Sequence, residues 1–201
     1  MKRFVPLLAV VLAGCVIHSL EPFYTPKSQI LPKEALGQWQ LLQSAGDEVS
    51  DTNVRSWLIE VADDNHCKLT AYDRDNTGAT FGLTFFKVGP TLFLDFVPDQ
   101  PGDETKLNEY WSFAVHRVHG VCKVVLDKDH LQLITLKYKW VADGVAKKTI
   151  ALPHSGTTND WLLFTATPAQ WEKFLLKNAG NTNAFPTETA FELQRIVAKK
   201  P

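Results

Sequence analysis

The feature that most limits what this chain can fold into is a period-two alternation of apolar residues in short runs, repeated from Leu36 onward. Trp57, Ile59 and Val61 alternate with Ser56 and Glu60, Cys67, Leu69 and Ala71 with Lys68 and Thr70, and Phe81, Leu83 and Phe85 with Thr80, Gly82 and Thr84. Successive side chains of a strand point to opposite faces, so each run predicts a strand with one buried face. Further runs lie at 91–97, 111–118, 121–126, 131–138 and 161–165, separated by turn signals such as Asp63-Asp64-Asn65, Asn76-Thr77-Gly78 and Asp127-Lys128-Asp129. With 36–44 they make about nine strands.

Helical signals are confined to two places. Residues 140–148 are a weak candidate, placed before the last barrel strand, which the pattern puts at 161–165. The second is stronger. Thr167-Pro168-Ala169-Gln170 is a capping-box sequence with proline at the first helical position, Trp171, Phe174 and Leu175 form an apolar stripe, and Gly180 suits a stop, which predicts a helix over 168–179. A meander of short strands with one firm helix predicts a mainly β fold: an antiparallel up-and-down β-barrel with a C-terminal helix packed outside. Closure into a barrel also removes the exposed strand edges of an open sheet.

The first residues have a different character. Lys2 and Arg3 precede an apolar run over 4–13, too short to span a bilayer and laid out as an export signal. The run ends in Leu12-Ala13-Gly14-Cys15, which resembles the lipobox of bacterial lipoproteins. That resemblance implies a signal peptide over 1–14 and diacylglycerol, with palmitate-type acylation, on Cys15. A diacylglyceryl group with an N-acyl chain is a durable membrane anchor, since each buried methylene contributes about 0.8 kcal/mol. Val16 stands where inner-membrane retention commonly uses Asp, so an outer-membrane address facing the periplasm is expected. Residues 15–35, with Pro22, Pro26 and Pro32, read as a lipidated, extended tether. Its Phe23 and Tyr24 suggest that it lies against the remaining domain, 36–201.

Composition closes off some classes of function. The 201 residues are 45% hydrophobic and 11% aromatic, enough for one domain with a sizeable core. Net charge is −1, and removal of a signal would take Lys2 and Arg3 with it; with no basic block, nucleic acid is not an expected partner. An oxidising compartment permits Cys67 and Cys122 to pair, and buried free thiols are the other reading. No C-x-x-C or H-E-x-x-H occurs, and no metal or cofactor is expected.

Gly37-Gln38-Trp39 is the G-x-W that opens the first strand of lipocalins and their relatives. The resemblance implies that Trp39 plugs the closed end of the barrel and that a late arginine, here Arg195 within 191–196, packs over it; the second lipocalin motif, T-D-Y, is not evident. A closer resemblance is to a poorly characterised group of bacterial lipoproteins that join a lipobox to an S-L-x-P-F-Y-T segment, a G-x-W strand and an L-F-L-D strand. This chain has Ser19 to Thr25, Gly37 to Trp39 and Leu92-Phe93-Leu94-Asp95. The group brings a lipocalin-like fold and no established activity.

Of the chemistry-bearing residues, Asp95 draws most interest. Leu92, Leu94 and Phe96 fill one face of its strand, while Asp95 shares the other with Phe93 and Val97. If both faces are enclosed, its carboxylate must be paired, either as a ligand contact in the barrel or as a structural acceptor. His116 and His119, three apart on a strand, fall on opposite faces and do not form a metal pair. Asp73 to Gly78 echoes half a calcium loop, but the twelfth position is Thr84, so a hairpin turn is expected. His154-Ser155-Gly156 lacks nucleophile-elbow spacing and reads as a loop.

With no acid-base or nucleophile constellation, the chain is not expected to be an enzyme. Two readings remain: a lipid-anchored lipocalin-like protein holding a small apolar ligand, and a structural or protein-interaction lipoprotein of the envelope with a side-chain-filled barrel. Cavity volume separates them, because eight strands can be filled by side chains or hold one ligand.

Overall fold

The computed structural model describes residues 16–42, 56–72, 78–99, 117–157 and 161–196. The expectations for the export signal, Cys15, the calcium-like loop at 73–77 and the strand and histidine at 111–116 lie outside the described residues.

The strands are β1 (His18–Ser19), β2 (Gln29–Ile30), β3 (Gly37–Leu41), β4 (Ser56–Val61), β5 (Cys67–Tyr72), β6 (Gly78–Val88), β7 (Thr91–Pro98), β8 (Gly120–Leu126), β9 (His130–Thr135), β10 (His154–Ser155), β11 (Leu163–Phe164) and β12 (Ala190–Arg195). The helices are α1 (Tyr138–Ala146) and α2 (Pro168–Asn178). Strands β3 to β9 form an antiparallel meander, and β12 closes it by pairing with both β9 and β3, while β6 pairs with β7 on its other side. The result is a closed, eight-stranded, up-and-down barrel of lipocalin-like type with a helix outside it, as the alternation implies. β2 adds to the sheet through a second pairing with β6.

The structure differs from the sequence expectation in places: the run at 131–138 is strand only to Thr135, and Tyr138 already begins α1. The last barrel strand is Ala190–Arg195 rather than 161–165, so α2 is inserted between the seventh and eighth barrel strands. Only Leu163–Phe164 of the expected run is strand, and it joins β1 and β10 in a separate three-stranded sheet. Within 161–165 only Leu162 and Phe164 are buried against the barrel's outside, while Trp161 is exposed. The closing strand carries the same alternation, Phe191 and Leu193 with Glu192 and Gln194, but over only four residues.

The turns obey local chemistry. Asp63 Oδ1 accepts from the backbone N–H groups of Asn65 and His66, and Asp127 Oδ1 from those of Asp129 and His130, so each aspartate closes its own hairpin. At α2 the full capping box is present: the Gln170 N–H donates to Thr167 Oγ1 and the Gln170 side chain accepts from the Thr167 N–H.

The described residues build two apolar cores. One fills the barrel, with Trp39, Ile59, Leu69, Leu83, Phe85 and Leu94 among its buried members. The other lies between the outward faces of β6 to β9 and a covering layer made of the N-terminal segment, the three-stranded sheet and both helices. Ile17, Phe23, Trp171 and Leu175 belong to it, packed on Phe86, Phe93 and Ile134. Residues 16–35 are thus part of the folded body, with Ile17, Ser19, Phe23 and Ala35 fully buried.

Candidate functional site

At one end the barrel is sealed by the segment that leads into β3. Gly37 takes φ +115°, a conformation that side chains rarely adopt, and a Cβ there would stand 3.1 Å from Arg195 Nη1. Trp39 is fully buried, and its indole Nε1 donates to the Ala35 carbonyl at 2.9 Å, pinning the short 3-10 turn Lys33–Ala35 beneath the barrel. β12 pairs Arg195 with Trp39, and the guanidinium carbon lies 4.2 Å from the indole ring centroid. The same guanidinium donates to three carbonyls: Leu36 at 2.9 Å, Lys128 at 2.7 Å, and Glu34. Its donors tie the entering chain and the β8–β9 turn together, which is a closing role. Beside this end lies a solvent-open groove of about 1330 Å³ with Ile30, Leu92 and Val124 along its floor and Lys33, Lys87 and Lys128 at its rim.

Toward the opposite end the interior changes. The floor is packed solid by the buried residues around Trp39, but Trp57, Phe81, Phe96 and Phe191 are half-buried, with Leu41 and Ala71 beside them. Trp57 and Phe191 have ring centroids 5.8 Å apart, and Phe81 meets Phe96 edge-on at 6.5 Å. Phe96 lies on Gly120, its register partner, where a Cβ would come within 2.3 Å of the ring. Glycine here gives the aromatic room inside the barrel. These two aromatic pairs, Trp57 with Phe191 and Phe81 with Phe96, pack half-buried on the filled part of the inner core. Sequence reasoning missed this set, although all four belong to the inward phase of their strands.

Asp95 is placed elsewhere. It is 2% exposed, but it points outward from β7 under the N-terminal segment, so the reading of it as a ligand contact in the barrel does not hold. Its Oδ2 accepts from the Phe23 N–H at 3.0 Å, and its Oδ1 meets His119 Nδ1 at 2.7 Å. Burial pushes the Asp95 carboxyl above the ordinary carboxylate range, opposed by the hydrogen bond and charge of His119 and by the Phe23 N–H. Around it the segment is held at several further points. Ser19 exchanges backbone hydrogen bonds with His119 and its hydroxyl accepts from Trp171 Nε1 at 3.0 Å. The Thr25 N–H and hydroxyl both donate to Glu172 Oε1, at 2.7 and 2.9 Å. The arrangement is a latch: β7 and α2 offer acceptors and a donor, and the Ser19-to-Thr25 segment supplies their partners.

Cys67 and Cys122 are free and buried, on strands that are not neighbours. Burial pushes their thiols up to about 11 and about 12, so both stay protonated and inert at neutral pH. Among the described residues no group of three or more His, Cys, Asp or Glu side chains could hold a metal ion. His154 and Ser155 form the two-residue β10, and the His154 Nδ1 bonds to the Leu152 carbonyl, with Ser155 contacting the Leu163 carbonyl; the two do not meet as nucleophile and base. No family model, curated protein or solved structure matches the chain.

Proposed function

We propose that this is a lipid-anchored envelope protein of lipocalin-like type that holds a small apolar ligand at the aromatic rim of its barrel. The observation that carries the reading is a set of inward aromatic side chains, Trp57 paired with Phe191 and Phe81 with Phe96, half-buried over core side chains that fill the interior beneath them. Such a site takes a ligand by shape and apolar contact, with aromatic edges and faces supplying orientation. The lipobox-like Leu12 to Cys15 supplies the anchor and with it the outer-membrane, periplasm-facing address. The chain has no role for a metal or for nucleic acid in this reading, and no reaction is assigned to it.

The second reading is a structural or protein-interaction lipoprotein with a plugged barrel. It is favoured by the closed half of the interior, where Trp39, Leu83, Phe85 and Leu193 leave the space occupied by protein. A fluorescent apolar probe, N-phenyl-1-naphthylamine, separates the two. Saturable binding that weakens at least tenfold in Phe81→Ala and Trp57→Ala, with Leu176→Ala as an exposed control, is the expected result. Absence of saturable binding to folded protein would leave the plugged barrel.

A further inference from the structure

The three-stranded sheet has one buried and one open face. Ile17, Ser19, Leu162 and Phe164 point into the outer core, each at most 1% exposed. The alternate positions His18, Leu20, Trp161 and Leu163 point away from it, joined by Ser155, the register partner of Leu163. Trp161 is 52% and Leu20 41% exposed, and the Trp161 ring stacks on His18 at 5.3 Å with the planes 7° apart. Among the described residues, none of these five outward positions is Asp, Glu, Lys or Arg. Burial also holds His18 below the usual imidazole range, so it adds no charge at neutral pH.

We infer that this uncharged face, centred on Trp161, seats on the bilayer surface beside the anchor and fixes how the barrel is oriented on the membrane. The inference rests on lipid attachment at Cys15 and adds an orientation to it. Three peptide units separate Cys15 from His18, so their Cα atoms are at most about 11 Å apart. Acyl chains inserted from Cys15 therefore hold β1 within that distance of the headgroups, and the residue stacked on β1 is an exposed tryptophan. An indole has an apolar body and one N–H donor, and it favours the membrane–water interface for that reason. A protein partner or a second copy could cover the same face, but neither is tethered within reach of it.

The test uses the acylated full chain reconstituted into phosphatidylethanolamine/phosphatidylglycerol (3:1) vesicles whose acyl chains are brominated near the headgroup. Brominated lipid should quench wild-type tryptophan emission, and Trp161→Phe should lose at least half of that quenching while still floating with the vesicles. Leu20→Glu, folded by its melting curve, should reduce quenching in the same direction. Equal quenching in wild type and Trp161→Phe, with flotation intact, would overturn the orientation and leave the anchor standing. Failure of the wild type to float would remove the anchor and the orientation together. Burial of Trp161 in a concentration-dependent dimer of the delipidated protein would also overturn it.

Discussion

At the residue scale the closed end turns on one arginine. Arg195 gives donors to three backbone carbonyls and its guanidinium face to Trp39. Trp39→Ala removes a fully buried indole and is expected to cost about 3–5 kcal/mol. Arg195→Ala should cost less, and a double-mutant cycle in urea should return a coupling of about 0.5–2 kcal/mol between them. Strictly additive losses would mean that the ring and the guanidinium do not support each other. Asp95 gives a second residue-scale expectation, in pH. A carboxyl whose folded pKa lies above its unfolded value stabilises the fold while protonated; the contribution is present below the unfolded pKa and lost as pH rises through the folded one. The stability of wild type relative to Asp95→Asn should therefore fall as pH rises out of the ordinary carboxylate range, measured by urea melts at pH 4, 5.5 and 7. A difference that grows with pH would show that His119 and the Phe23 N–H outweigh burial.

At the element scale the latch makes the N-terminal segment and α2 depend on one another. Trp171→Phe keeps most of the apolar bulk but leaves the Ser19 hydroxyl buried without its donor, a loss of about 1–3 kcal/mol. At about 2–4 °C per kcal/mol for a chain of this length, the melting temperature should drop visibly, and Trp171→Ala should drop it further. An unchanged melt in both would mean that the helix is not docked. Elements of this kind differ in how far the sequence discloses them. The capping box of α2 and the alternation of β4 to β7 are local patterns, fixed by a few neighbouring residues, and they can be read directly. The closing strand was harder to read, because β12 is separated from β9 by more than fifty residues of covering layer and from β3 by the rest of the barrel, and its short alternation does not reveal which strands it joins. The same holds for Glu172 and Ser19, which are ordinary polar residues until the fold brings Thr25 and Trp171 to them. Asp95 shows the limit most clearly: its enclosure was legible from the apolar neighbours on both faces, but not which face would meet ligand and which would meet protein.

At the scale of the whole molecule the two cores divide the work. The outer core fastens Ile17 to Tyr24 against the barrel's outside and the inner core takes in Ala35, so a lipid at Cys15 would be joined to a rigid body by a very short leash rather than by a long tether. The inner core fills the sealed half of the barrel and leaves aromatic side chains at the other end. In the proposed reading, the address and the orientation on the membrane both depend on a single lipid bond at Cys15. Labelling cells with an alkynyl fatty acid tests it most directly, comparing wild type with Cys15→Ala. Label on the wild type and none on the variant is the expected result, and equal label on both, or none on either, would contradict the lipid-anchored account.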